Sequence, residues 1–149
     1  MSAVRVTTVL AAAAVLAAAG FAWRANEKSS AATSAQLARG AAVYAAACAS
    51  CHGTNLEGQP HWRSPGPDGR LPAPPHDETG HTWHHSDQLL LDIMTRGTAA
   101  VIGGSYASNM PGFGDPYSEA DLRAVLEWLK SRWPERERSY QREANGGDS

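Results

Sequence analysis

The chain is poor in what most chemistries and several folds require. Of its 149 residues only two are cysteines, Cys48 and Cys51, and they are near neighbours. A disulfide between them would close only a tiny loop, so the fold is not stapled by distant cross-links. Neither sign of charge dominates: 13 basic and 15 acidic side chains leave a formal charge of −2, with a pI near 6.3. The basic residues are scattered, and phosphate or nucleic-acid binding is excluded as an expectation. No internal repeat occurs, and no alternating apolar run is long enough for a strand. The length suits one modest domain with a leader and a tail.

The N-terminus "MSAVRVTTVLAAAAVLAAAGFAW" has one early Arg and then an uncharged, Ala-rich stretch, the layout of an export signal over residues 1–23. Residues 6–23 would span roughly 27 Å as a helix, just short of a roughly 30 Å hydrocarbon core. The stretch therefore reads either as a signal cleaved near Ala22 or Ala25, or as a retained membrane tether. Both place the following domain outside the cytoplasm, in the periplasm. Residues 24–33 are small and polar and read as a linker, 34–133 as the domain, and 134–149, rich in charge and Gly, as a polar tail.

Three helices are legible within 34–133. The first, around Ser34–Ser50, carries Leu37, Gly40, Ala41, Tyr44, Ala45 and Cys48 at three-and-four spacing. A second opens at Ser86 or Asp87 and stops at Gly97. The third begins on the capping sequence Ser118 to Asp121, repeats Leu122, Val125, Leu126, Leu129 and Trp133, and ends at Pro134. Between the first two, "GQPHWRSPGPDGRLPAPPHDETG" has too much Pro and Gly for a regular element. A loop of that kind needs support beyond its own backbone, which a prosthetic group would supply.

The chemistry concentrates in "CASCHG", residues 48 to 53. A zinc site would need two further ligands at fixed spacing, and a thioredoxin-like dithiol would need a preceding strand. Here an Ala-rich helix precedes the pair in an exported chain. C-x-x-C-H in that setting reads as attachment of one covalent haem c, Cys48 and Cys51 reaching its vinyl groups while His52 faces the iron.

These residues, with "GAAVYAAACASCHG" at one end and "MPGFGDPYSEADLRAVLEWLKSRW" at the other, resemble the class I c-type cytochromes over most of residues 34–133. The resemblance implies an all-α fold of three or more helices around one haem. It also implies a crossing of the first and last helices, with Gly40 and Tyr44 facing Trp128. The sixth iron ligand of such proteins stands in a Met-Pro context before the last helix, which points to Met110. The alternative for Met110 is core filling. Met94 reads as packing. By the same resemblance the carbonyl of Pro74 or Pro75 accepts a hydrogen bond from His52, and Trp83 lies against the haem edge. Arg63 and Arg70 either pair with haem propionates or are solvated. His76, His81, His84 and His85 invite a copper or zinc site, but read better as polar loop residues, one of them a propionate partner.

With two strong iron ligands no position is open for substrate. The expected role is that of a single-haem electron carrier, not an enzyme, working between an unidentified redox protein donor and acceptor. The alternative is a haem- or copper-binding sensor or metal-handling module attached to an enzyme.

Overall fold

In a computed structural model the backbone is described for residues 2–146, and the side chains for 21–146 except Ala32. The leader expected at 1–23 thus falls, apart from Phe21 to Trp23, outside the described side chains, and the last three residues of the expected tail lie outside the described backbone. Six α-helices and one 3-10 turn follow in order: α1 Ser2–Ala47, α2 Ala49–His52, the turn Thr82–His84, α3 Asp87–Arg96, α4 Thr98–Ile102, α5 Glu119–Arg132 and α6 Glu135–Ala144. Among the described residues there is no strand, only an isolated bridge between Gly97 and Pro111. The fold is all-α.

The chain divides into two compact units, one ending at Ala35 and the other starting at Gln36. In the first, residues 24–33, the expected linker, are helical. Ala, Glu and Lys are good helix formers, and the hydroxyls of Thr33 and Ser34 fold back onto the carbonyls of Ser29 and Ser30, at 3.0 Å each, instead of competing for the helix backbone. Trp23 donates its indole N–H to Glu27 one turn on, at 2.7 Å. No helix of the described residues is long and apolar enough to cross a membrane.

The second unit is built on α1 against α5. Where the two meet, Gly40 faces Ala124 and Trp128, and the Tyr44 and Trp128 rings pack with centroids 4.8 Å apart. Val43, Tyr44, Leu56, Val125, Leu129 and Trp133 form one buried cluster. Leu90, Leu91, Leu122 and Leu126 form a second, between α3 and α5. Met94 touches both, the packing role its helical position suggests. The start of α5 is fixed as its sequence foretells: the Ser118 hydroxyl accepts from the Asp121 backbone N–H while the Asp121 carboxylate accepts from that of Ser118. Arg39 on α1 adds a 2.7 Å ion pair to Asp121.

Where residues 134–149 were expected to form a polar tail, α6 folds back on the 3-10 turn. Pro134 ends α5 and then serves as the N-cap of α6. Its buried residues are Glu137 and Gln141, one turn apart. Gln141 donates to Asp87, which also accepts from Lys130 at 2.5 Å and from the side chain of Asn145. Tyr140 meets the Trp83 and His84 rings edge-on. A helix whose buried face is polar looks like a solvated segment to any hydropathy argument.

Candidate functional site

The hydrogen-bond ladder of α1 runs through Cys48 into α2: Cys48 N–H donates to Tyr44 at 2.9 Å, Cys51 to Cys48 at 3.1 Å, and His52 to Cys48 at 2.9 Å. Cys48 and Cys51 consequently stand one turn apart with His52 next in line. Both thiols are free, Cys51 exposed and Cys48 half-buried. Burial, with the Cys51 thiol adding to it, pushes the Cys48 thiol up to about 11. It is an inert thiol as it stands, not an activated dithiol nucleophile.

His52 is buried. Its Nδ1 lies 2.9 Å from the Pro74 carbonyl oxygen, so Nδ1 carries the proton and Nε2 keeps its lone pair for a metal. Burial lowers the His52 pKa, against the opposing pull of the Pro74 carbonyl. The ring is neutral at pH 7, the form that ligates. Of the two prolines weighed from the sequence, Pro74 makes this contact; Pro75 is buried beside it, and its carbonyl carbon and oxygen sit where a Gly80 side chain would be.

The Pro-rich loop is tied together by more of its own backbone than its composition suggests. Gly58 N–H donates to His52, Gln59 to Ala73, Gly66 to Arg70 and His76 to Leu56, each at 2.8 Å. Gly58, at φ +67°, lets the Pro74–Pro75 peptide pass where any Cβ would lie 2.4 Å from the Pro75 nitrogen. Tyr44 donates its hydroxyl to the Gly53 carbonyl at 2.8 Å, fastening the end of α2 to the first helix.

The four loop histidines separate into different environments. His76 stacks on His52 with centroids 4.0 Å apart and places Nδ1 2.7 Å from the Thr82 hydroxyl. This neighbour of the proximal ring is one the sequence reading missed, because only the fold closes 24 residues of loop back on His52. His81 stacks on Trp62, and the 3-10 turn brings its ring to 5.4 Å from that of His85. His84 stacks on Trp83. Among the described residues no group of three or more His, Cys, Asp or Glu side chains could hold a metal ion. Arg63 lies over the Trp62 ring at 4.1 Å, and Arg70 donates to Asn109 at 2.7 Å.

Met110 is half-buried, in a loop docked on the C-terminal end of α3. Phe113 N–H donates to the Met94 carbonyl at 2.8 Å and Gly114 N–H to that of Thr95 at 3.1 Å. Gly97 and Gly112 provide the clearance, since a Cβ on either would lie 3.0 Å or less from the facing backbone. Met110 thus leaves a loop rather than a helix.

Among the described residues two buried nitrogens lack partners, His81 Nδ1 and Trp83 Nε1. An indole N–H can only donate, and a buried donor without an acceptor is costly. The Trp83 N–H would suit an anionic group such as a haem carboxylate, as would His81 Nδ1 in the tautomer that carries its proton there. Free thiols one turn apart and a buried neutral imidazole with its Nε2 available fit the attachment of that cofactor.

No curated protein and no solved structure matches the chain. The cytochrome c family model matches residues 37–133, from α1 to the end of α5. With that match over most of its length, the chain belongs to the cytochrome c family, whose members carry covalently bound haem c and transfer electrons.

Proposed function

We propose that the protein is a class I, single-haem electron carrier acting outside the cytoplasm, with His52 and Met110 as axial ligands. The observation that carries this reading is the fixed imidazole: His52 follows Cys51 directly, is buried, and is oriented by Pro74 from the other side of a 22-residue separation. The haem, when bound, supplies the one-electron ferrous/ferric couple. Cys48 and Cys51 would hold it by thioethers, and His52 Nε2 by its lone pair. Met110 would close the opposite position with a neutral thioether. Trp83 and His81 would donate to its carboxylates. His76, Tyr44 and Trp133 keep water from the proximal ring, since Trp133 Nε1 donates to the His76 carbonyl at 2.7 Å and closes the core behind it. The uncharged, Ala-rich stretch after Arg5 supports export, and residues 6–23 are proposed as signal or tether. The partners are a redox donor and acceptor.

The test is the absorption spectrum of the exported protein, oxidised and reduced, with acid–acetone extraction. One haem per chain that resists extraction, a far-red sulfur-to-iron band in the oxidised form, and no carbon monoxide binding in the reduced form are expected. Extractable haem, or ready carbon monoxide binding at neutral pH, overturns the carrier reading in favour of a sensor or enzyme module.

A further inference from the structure

Two loops flank the site from opposite ends of the sequence. The Pro-rich loop brings Pro74 to His52, and the loop before α5 carries Met110. They meet at a hydrogen bond beside the proposed sixth ligand: Arg70 Nη1 donates to Asn109 Oδ1 at 2.7 Å. Arg70 stands in a tight, pre-formed turn. Gly66 N–H donates to its carbonyl at 2.8 Å, Gly69 N–H to that of Gly66 at 2.9 Å, and the Asp68 carboxylate accepts from the Arg70 N–H at 3.1 Å. Asp68 takes part as well. Its pKa is held below the ordinary value by the Arg70 N–H first and, among weaker contributions, by the side chain of Asn109. The Asn109 amide oxygen is therefore held by Arg70, and Arg70 in turn by Asp68.

The segment preceding Met110 has little else to hold it. Gly103 N–H is still bonded to the Ala99 carbonyl at 2.9 Å, but from Gly104 to Ser108 most residues are exposed, and the backbone bonds are Tyr106 N–H to Gly103 at 3.3 Å and Met110 N–H to the Ser108 hydroxyl at 3.1 Å. Beyond Met110, Phe113 and Gly114 are anchored on α3. The thioether thus sits between a firm side and a loose side, and the amide clamp is what fixes the loose one.

We propose that Arg70 is a positioning residue for Met110: by holding the amide oxygen of Asn109, with its own place fixed by Asp68, it keeps the distal loop closed, so that the thioether stays at the iron in competition with outside ligands. The inference rests on Met110 being an axial ligand. A rigid attachment one residue away reduces the conformational freedom that the loop must lose each time the bond re-forms.

Imidazole binding to the oxidised, haem-loaded full-length protein measures that competition. Arg70→Ala and Asn109→Ala should each raise imidazole affinity roughly threefold to tenfold, the range for losing one such hydrogen bond. Arg70→Lys, which keeps one donor, should fall between. Because the two residues act through one contact, the double variant should be little different from the stronger single. Wild type with the far-red band but variants whose imidazole affinity stays within twofold, or a fully additive double variant, overturns the clamp alone. A wild type without the band overturns Met110 ligation itself. Thermal unfolding separates the proposal from ordinary stabilisation: a lower midpoint with unchanged imidazole affinity sinks it.

Discussion

A methyl group on Gly40 would stand 2.0 Å from the carbonyl oxygen of Ala124 and 2.8 Å from Cβ of Trp128. Helices α1 and α5 approach at this point as closely as backbone permits, and the far side is backbone, which cannot swing away. Gly40→Ala should destabilise the fold by about 3 kcal/mol, the upper part of the range for overpacking. Thermal or denaturant unfolding of the holoprotein checks it, and a variant as stable as wild type would contradict the close crossing.

Replacing both Cys48 and Cys51 by Ser removes the covalent link while leaving His52 and its Pro74 contact in place. The double variant should lose all its haem to acid–acetone extraction, and its helical circular dichroism should fall as the loop between α2 and α3 loosens. Red colour retained in the protein fraction after extraction counts against attachment at these thiols.

Met110→His should keep the iron six-coordinate and lower the reduction potential by on the order of 0.1 V or more, since a thioether favours ferrous iron and axial ligands command a span of roughly 0.8 V. Met110→Ala should open the position to carbon monoxide. If Met94 supplied the bond, neither change would follow, so potentiometry and carbon monoxide titration together discriminate the two methionines.

Asp121 has its pKa lowered to about 2, first by the Arg39 side chain and then by Ser118. A carboxylate depressed in the folded state stabilises above its unfolded pKa, and that contribution is lost as pH falls through the folded value. Asp121→Asn should therefore be less stable than wild type at pH 7, with the gap closing between about pH 4 and pH 2. Thermal midpoints across that interval measure it; a gap constant with pH would mean that the cap acts through geometry alone.

Asp87 joins three elements, accepting from Lys130 of α5 and from Gln141 and Asn145 of the C-terminal segment. Burial raises its pKa, but the hydrogen bonds from Lys130 and Gln141 and the Lys130 charge outweigh it, and the net shift is downward. Asp87→Ala leaves the Lys130 ammonium with Glu127 alone, at 3.1 Å, and the Gln141 amide with only the His85 carbonyl, at 3.4 Å, and should cost about 1–3 kcal/mol in thermal or denaturant unfolding. Ending the chain after Trp133 should expose Trp83 and shift tryptophan fluorescence to the red; an unchanged spectrum would mean that α6 does not cover it.

The attachment site is a local matter, which is why the sequence declares it. Cys48, Cys51 and His52 lie within one turn of helix, so their spacing alone fixes which side chains line up, and the Ser118–Asp121 cap and the Gly97 stop are likewise written in a few adjacent residues. That Met110 stands in a loop was legible through its Pro and Gly neighbours. What only the tertiary structure decided depends on distance in the chain. That Pro74 rather than Pro75 faces His52, and that His76 stacks upon it, follows from loop closure permitted by Gly58 and Gly80, whose missing side chains make room for backbone that no local pattern identifies. The pairing of Arg70 with Asn109 spans 39 residues. Helix α6 was hidden for a different reason: its buried face is Glu137 and Gln141, and a polar side chain such as Gln141 declares itself interior only once Asp87 and the His85 carbonyl are there to satisfy it. Hydropathy records the cost of burying such groups but not the partners that remove it, and those partners come from elsewhere in the fold.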